Sequence, residues 1–185
     1  MNIPKEKLNE LLDELGAKNL IEANVMLELN GPGEFGWDHV IEFYAHEFTG
    51  DLKDSFEDYL DKRSEVYDEV KFYYDYGSFR EIDPLNVDES KKIERYVNKQ
   101  IPNQCYYNCQ LSMDYKEFSY VEGYVLDNDI RRPVPHAWLE INNKVVEVTL
   151  PEKGDLYYGV TFEDNEVREV MIKTEKTGPI VEHKI

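Results

Sequence analysis

The sequence predicts an α+β fold, with a helical N-terminal portion over residues 1–99 packed on a C-terminal antiparallel sheet. Three observations carry that expectation. Through the first half, apolar residues recur at spacings of three and four, the period of an amphipathic helix. Beyond residue 117, short runs of β-branched and aromatic residues alternate with turn-forming segments. Helices first and strands last is the segregated order of an α+β chain, where a parallel sheet would alternate the two. A length of 185 residues suits one domain with a single core, so 1–185 is expected as one domain whose core spans 100–175.

Taken in order, Leu8, Leu11, Leu12 and Leu15 follow Pro4 at helical spacing, and Gly16 is a natural stop. Residues 20–29 are apolar on several sides and suit helix or strand. Trp37 to Phe48 carries Val40, Ile41, Tyr44, Ala45 and Phe48 on one stripe, which predicts a helix. The charged segment Lys53 to Tyr76 predicts one or two helices, ended by Gly77. A loop around Pro84 precedes a short helix over residues 88–99. Pro102 and Asn103 then open a predicted helix from Gln104 to Tyr115, with Asn103 as N-cap. Strands are expected at Phe118–Leu126, Pro135–Ile141, Val145–Leu150, Tyr157–Phe162 and Val167–Lys173.

Composition excludes several classes of function. With 21 Lys plus Arg against 39 Asp plus Glu, the formal charge is −18. A phosphate backbone is bound through cations that release its counterions, so direct nucleic-acid binding is not expected. No apolar run approaches the ~20 residues of a membrane-spanning helix, and the opening residues interleave charge with Leu where a signal peptide has an apolar block. The expectation is a cytoplasmic protein away from the membrane. Two cysteines, Cys105 and Cys109, are too few for a disulfide framework or a Cys-rich zinc site.

Gly31 to Gly36 matches G-x-G-x-x-G, but the strand, helix and second parallel strand of a dinucleotide site do not follow it, and a turn is the better reading. His39, Glu42 and His46 share a predicted helix face without the H-E-x-x-H spacing of a zinc protease. No metal and no cofactor are expected. Cys105 is different. It takes the second position of the helix that Asn103 would cap, where free N–H groups and the helix dipole favour a thiolate and can also hold an oxyanion.

A thiolate nucleophile needs a base, and a third group must orient that base. If Asn142 and Asn143 form a two-residue hairpin loop, the ladder sets Trp138 opposite Glu147 and His136 opposite Thr149. All four side chains then share one face. Glu147 is the diagonal neighbour of His136, roughly 7 to 8 Å away, a gap that a Glu side chain spans. Cys105, His136 and Glu147 are thus a candidate triad.

The segments QCYYNC (Gln104–Cys109), YVEGY (Tyr120–Tyr124), PHAWLEI (Pro135–Ile141) and VVEVTLP (Val145–Pro151) occur in that order. Together they resemble the core of the transglutaminase-like superfamily, a variant of the papain-like cysteine-enzyme fold. Small bacterial and phage proteins of unassigned activity are similar through the Tyr-Gly-Val-x-Phe seen here at Tyr158–Phe162. The resemblance covers about residues 100–162. It implies that Cys105 is the nucleophile, His136 the general base and acid, and Glu147 the residue orienting the imidazole. It also places Trp138, Gln104, Asn108 and Tyr124 at the cleft or against the substrate. Two departures stand out: Glu147 replaces the usual Asp, and Cys109 replaces a small residue. The implied activity is acyl transfer on a peptide or protein amide, ending in hydrolysis, deamidation or transamidation. A rival expectation follows from the Glu and the charge together: an inactive scaffold serving as an acidic module for a basic, nucleic-acid-binding protein partner.

Overall fold

The computed structural model describes residues 12, 13, 16, 17, 23, 51–97, 101–113, 115–127 and 132–185. Contacts divide the chain into two units, Met1–Lys71 with Asn128–Arg132 and Phe72–Asp127 with Pro133–Ile185. Apart from Ala23, which is helical and buried, the readings on residues 20–48 lie outside the described residues. These are the open segment at 20–29, the Gly31–Gly36 turn, and the Trp37–Phe48 helix with His39, Glu42 and His46.

In the first unit, Gly16 stops a helix as expected. It stands at φ 71°, its N–H donates to the Asp13 carbonyl, and the next N–H, of Ala17, reaches back to Leu12. This is a Schellman termination, which needs the left-handed conformation that glycine adopts at no steric cost. The charged segment resolves into two helices, α1 (Leu52–Ser64) and α2 (Asp68–Tyr76), the second crossing into the other unit. Asp51 caps α1 by accepting the N–H groups of Lys53 and Asp54, and Phe56, Tyr59, Leu60 and Arg63 form its buried stripe. The Arg63 guanidinium lies over the rings of Tyr59 and Tyr67, 4.8 and 5.5 Å from their centroids.

The second unit holds a five-stranded antiparallel sheet in the order β1-β5-β2-β3-β4, counted among the described residues. Its strands are β1 (Ser78–Phe79), β2 (Ser119–Asp127), β3 (Arg132–Ile141), β4 (Lys144–Val146) and β5 (Leu156–Phe162). Its helices are α3 (Val87–Tyr96), α4 (Cys105–Ser112) and α5 (Asp164–Thr174). Just after β1, Glu81 bridges Lys144 of β4 in parallel, and the Val145 N–H donates to the Glu81 carbonyl at 3.0 Å. Residues 78–81 therefore touch both ends of the sheet. The sheet curls around its inner face. Val121, Val125, Trp138, Val145 and Tyr157 fill that inner face.

The hairpin follows the expected register, with Ile141 opposite Lys144, Glu140 opposite Val145 and Leu139 opposite Val146. Asn142 and Asn143 both take positive φ, 51° and 63°, as the right-handed strand twist demands of a two-residue turn. Glu89 of α3 holds this hairpin from outside. One of its oxygens completes a capping box with Asn86, and its carboxylate also accepts Asn142 Nδ2 at 2.8 Å and Lys144 Nζ at 3.3 Å.

Three expectations need correction. Val167–Lys173 is not a strand but part of α5. Val and Ile suggest β structure, yet Val167, Val170, Met171 and Thr174 stand at helical spacing. These four are less exposed than Arg168, Glu169, Ile172 and Lys173 between them. The Glu163 N–H donates to the Glu166 carboxylate at 3.1 Å and starts the helix. The fifth strand is instead β1, too short to leave a pattern in the sequence. Second, β4 ends at Val146 and does not run to Leu150. The Glu147 carboxylate accepts the N–H groups of Thr149 and Leu150, which turns the chain away from the ladder. Third, α4 starts one residue later and stops earlier than the Gln104–Tyr115 span. Pro102 and Asn103 occupy the centre of a turn closed by Gln104 N–H to Ile101 carbonyl, and Asn103 takes φ 60°. Pro followed by a residue of positive φ is the type II pattern. Gln104 becomes the N-cap, and Cys105 is the first helical residue.

Close strand contact sets one position tightly. Gly123 of β2 pairs with Gly159 of β5, and the Trp138 indole lies over Gly159: a Cβ there would stand 2.6 Å from Cη2 and collide with the Glu122 carbonyl. Gly159→Ala is expected to cost about 1–3 kcal/mol from overpacking, read as a lower urea midpoint at unchanged slope. No helix among the described residues is long and apolar enough to cross a membrane.

Candidate active site

Backbone chemistry brings Cys105 to its place. The type II turn at Pro102-Asn103 aims the chain into α4 so that Cys105 opens the helix. By position, the first N–H groups of that helix have no intrahelical partner. Asn108, one turn later, pins both flanks. Its Oδ1 accepts the Ile101 N–H at 3.2 Å, while Nδ2 donates to the Ile101 carbonyl at 2.9 Å and to Thr149 Oγ1 at 3.0 Å. Helix α4 is thereby tied to the segment that carries Glu147.

His136 projects from β3 on the face it shares with Trp138, whose ring is nearly parallel to the imidazole at 6.4 Å. Its Nε2 meets Glu147 Oε2 at 3.0 Å and Oε1 at 3.2 Å. Nδ1 is the ring nitrogen that Glu147 does not engage, and the Cys105 thiol is the other group that acts on the imidazole and raises it. The three residues predicted as a triad therefore converge, in the order thiol, imidazole, carboxylate. Both His136 and Glu147 side chains are about nine-tenths or more buried, at 5% and 4% exposed, whereas Cys105 is half-buried.

Their electrostatics are reciprocal. Burial would push the Cys105 thiol up, but the hydrogen bond and positive charge of His136, with the N–H groups of Ala137 and Tyr106, hold it below its ordinary value. Burial would lower His136, yet its hydrogen bonds to Cys105 and Glu147 and the charge of Glu147 raise it to about 9. Burial would likewise raise Glu147, and its bonds to His136, the Leu150 N–H and Tyr157 pull it down instead. The Cys105 and His136 shifts both act in the sense of a thiolate beside an imidazolium.

The remaining expected site residues are distributed differently. Gln104 is exposed at the N-cap. Asn108 is buried, with its amide engaged as a strut. Trp138 is fully buried in the inner core, and Tyr124 is buried against Tyr73 with ring centroids 5.7 Å apart. Cys109 is fully buried, and burial pushes its thiol well up, which leaves it inert. Tyr157 belongs to the site without having been anticipated, and Thr149 reaches it through Asn108 and not from a ladder position opposite His136. Tyr157 Oη donates to Glu147 Oε2 at 2.7 Å. Nothing in the alternation of β5 signals that bond, because it depends on how residues 147–155 fold back. Among the described residues, no three His, Cys, Asp or Glu side chains converge to hold a metal ion. The chain matches no protein-family model, no curated protein and no solved structure.

Proposed function

We propose that this chain is a cysteine-dependent acyl-transfer enzyme with a transglutaminase-like core, acting on a peptide or protein amide. The observation that carries the proposal is the convergence of the Cys105 thiol, the His136 imidazole and a buried Glu147, with His136 Nε2 3.0 Å from Glu147 Oε2 and reciprocal shifts on thiol and imidazole, set at the first residue of a helix. In the first step thiolate Cys105 attacks the carbonyl carbon, and the electron pair of the C=O bond moves to oxygen. The Cys105 N–H, free of an intrahelical partner, is placed to stabilise that oxyanion. Collapse of the adduct breaks the C–N bond as His136 gives its proton to the departing amine, leaving a thioester on Cys105. Neutral His136 then takes a proton from the entering water or amine, which attacks the thioester and returns the thiolate. Hydrolysis, deamidation and transamidation share all but the identity of this second nucleophile.

Glu147 holds the imidazole in one tautomer and stabilises its charged form. The −18 charge of the chain favours neutral or cationic substrates through steering. The proposal is tested by incubating the protein with activated acyl esters and a panel of Gln- and Lys-containing peptides. Intact-mass analysis is expected to show an acyl adduct that maps to Cys105, is cleared by hydroxylamine, and is absent from Cys105→Ala. An adduct on Cys109 alone, or acylation unchanged in Cys105→Ala, would end the reading.

A further inference from the structure

We infer that Tyr157 is a positioning residue of the Cys105 site: its hydroxyl fixes the rotation of the Glu147 carboxylate, and through it the plane of the His136 imidazole. This rests on the acyl-transfer reading above and concerns a residue for which that reading gives no role. A Glu has one more rotatable side-chain bond than the Asp common at this position in the resembling family, so its carboxylate needs more to hold it. Here it has three further donors besides the imidazole. Oε1 accepts the N–H groups of Thr149 at 2.8 Å and Leu150 at 2.9 Å, and Oε2 accepts the Tyr157 hydroxyl at 2.7 Å. The two N–H groups come from the turn that Glu147 itself makes. Of these three donors, Tyr157 is the one that comes from a strand.

The tyrosine is itself held in place. Its side chain is fully buried, its ring packs edge-on against Trp138 with centroids 5.1 Å apart, and its oxygen accepts the Gly154 N–H at 3.1 Å. The same ring lies 6.5 Å from the His136 ring. Burial and the charge of Glu147 keep the phenol protonated at any pH the protein would meet, so the hydroxyl is a permanent donor. The charged or titratable groups that act on this pair are His136, Lys153, Asp127 and Cys109. None competes for the hydroxyl proton in the hydrogen bonds above. The oxygen of Tyr157 has its donor and its acceptor, and Glu147 Oε2 is bracketed by Tyr157 on one side and His136 on the other. Releasing Oε2 lets the carboxylate rotate about its last bond and tilts the imidazole away from the thiol.

Tyr157→Phe isolates this role, because it removes the hydroxyl and keeps the ring against Trp138. In the full-length chain, the rate of iodoacetamide alkylation at Cys105 is measured against pH, with the labelled thiol identified by peptide mapping and His136→Ala run in parallel. The expected result is an apparent Cys105 pKa at least one unit higher in Tyr157→Phe than in the wild type, and alkylation about tenfold slower at pH 7. A Tyr157→Phe profile that overlays the wild type, with only the melting temperature lowered, makes the tyrosine structural and overturns the inference while leaving the Cys-His pair standing. A wild-type profile that His136→Ala does not move sinks the acyl-transfer reading and this inference with it. Should Tyr157→Phe not fold, the wild-type proton spectrum decides: a slowly exchanging Tyr157 hydroxyl proton with contacts to the Glu147 methylenes is expected, and its absence overturns the role.

Discussion

In His136→Ala the Cys105 thiol is expected to titrate above its unperturbed value of about 8.5, and alkylation at pH 7 to slow by about a hundredfold or more. Three influences act on the thiol, and the substitution removes the one that lowers it most. What is left on the opposing side is partial burial, which disfavours the thiolate. The two N–H groups of Tyr106 and Ala137 remain but do not supply a full charge. The wild type should show a bell-shaped dependence of kcat/KM. The rising limb follows ionisation of the thiol, and the falling limb lies near pH 9, where His136 loses the proton it must give to the leaving amine. Stability carries the same signature. The folded value of His136 is raised, so its contribution is complete below about pH 6.5 and is lost as pH rises through about 9. His136→Ala should abolish that loss, and a variant that keeps both the low thiol pKa and the alkaline loss would show that the imidazole does not activate Cys105.

The site was more legible in the sequence than the fold around it. His136 and Glu147 could be paired because a hairpin with two Asn at its tip fixes register, and register fixes which side chains share a face. The ladder carries that inference as far as Val146, after which the Glu147 side chain closes the rest of the distance. Cys105 could be placed near a helix start because Pro102-Asn103 interrupts the chain, although the interruption is a turn and not a cap. Where reading failed, a short-range preference was overruled by a contact outside its window. Val167 to Lys173 carries strand-forming residues on a helical period, and the capping interaction of Glu163 with Glu166 decides for helix. Ser78 and Phe79 are too few to announce a strand and exist as one because β5 offers them an edge. Tyr157 could not be assigned to the site at all, since its bond to Glu147 joins a strand to a turn whose path no local pattern states.

The second large effect belongs to Glu122, a carboxylate with no solvent exposure on the β2 face opposite the triad. Oε1 accepts the Tyr120 hydroxyl at 2.5 Å and the Ile180 N–H at 2.7 Å. Oε2 accepts the Val181 N–H at 3.2 Å and the Tyr73 hydroxyl at 3.3 Å. Gln110 of α4 extends the clasp, donating to the Gly178 carbonyl at 2.6 Å and accepting the Gly178 N–H at 3.2 Å. The C-terminal segment is thus fastened to α4 and to β2 by buried polar groups. Burial outweighs the four donors and raises Glu122 to about 7, from an unfolded value near 4.5. A raised carboxyl binds its proton more tightly in the folded state. Its stabilising contribution is therefore complete below about pH 4.5 and is lost as pH rises through about 7, with a magnitude of about 3 kcal/mol. Glu122→Gln keeps one acceptor oxygen but turns an NH2 toward donors, so it is expected to be less stable than the wild type under acid conditions. Because the amide does not titrate, the gap should narrow by about 3 kcal/mol between pH 4.5 and 8. Urea denaturation at a series of pH values, with amide exchange of Ile180 and Val181 as the local readout, measures both. Parallel pH curves for the two proteins would mean that Glu122 stays charged when folded, because its four hydrogen bonds offset burial completely.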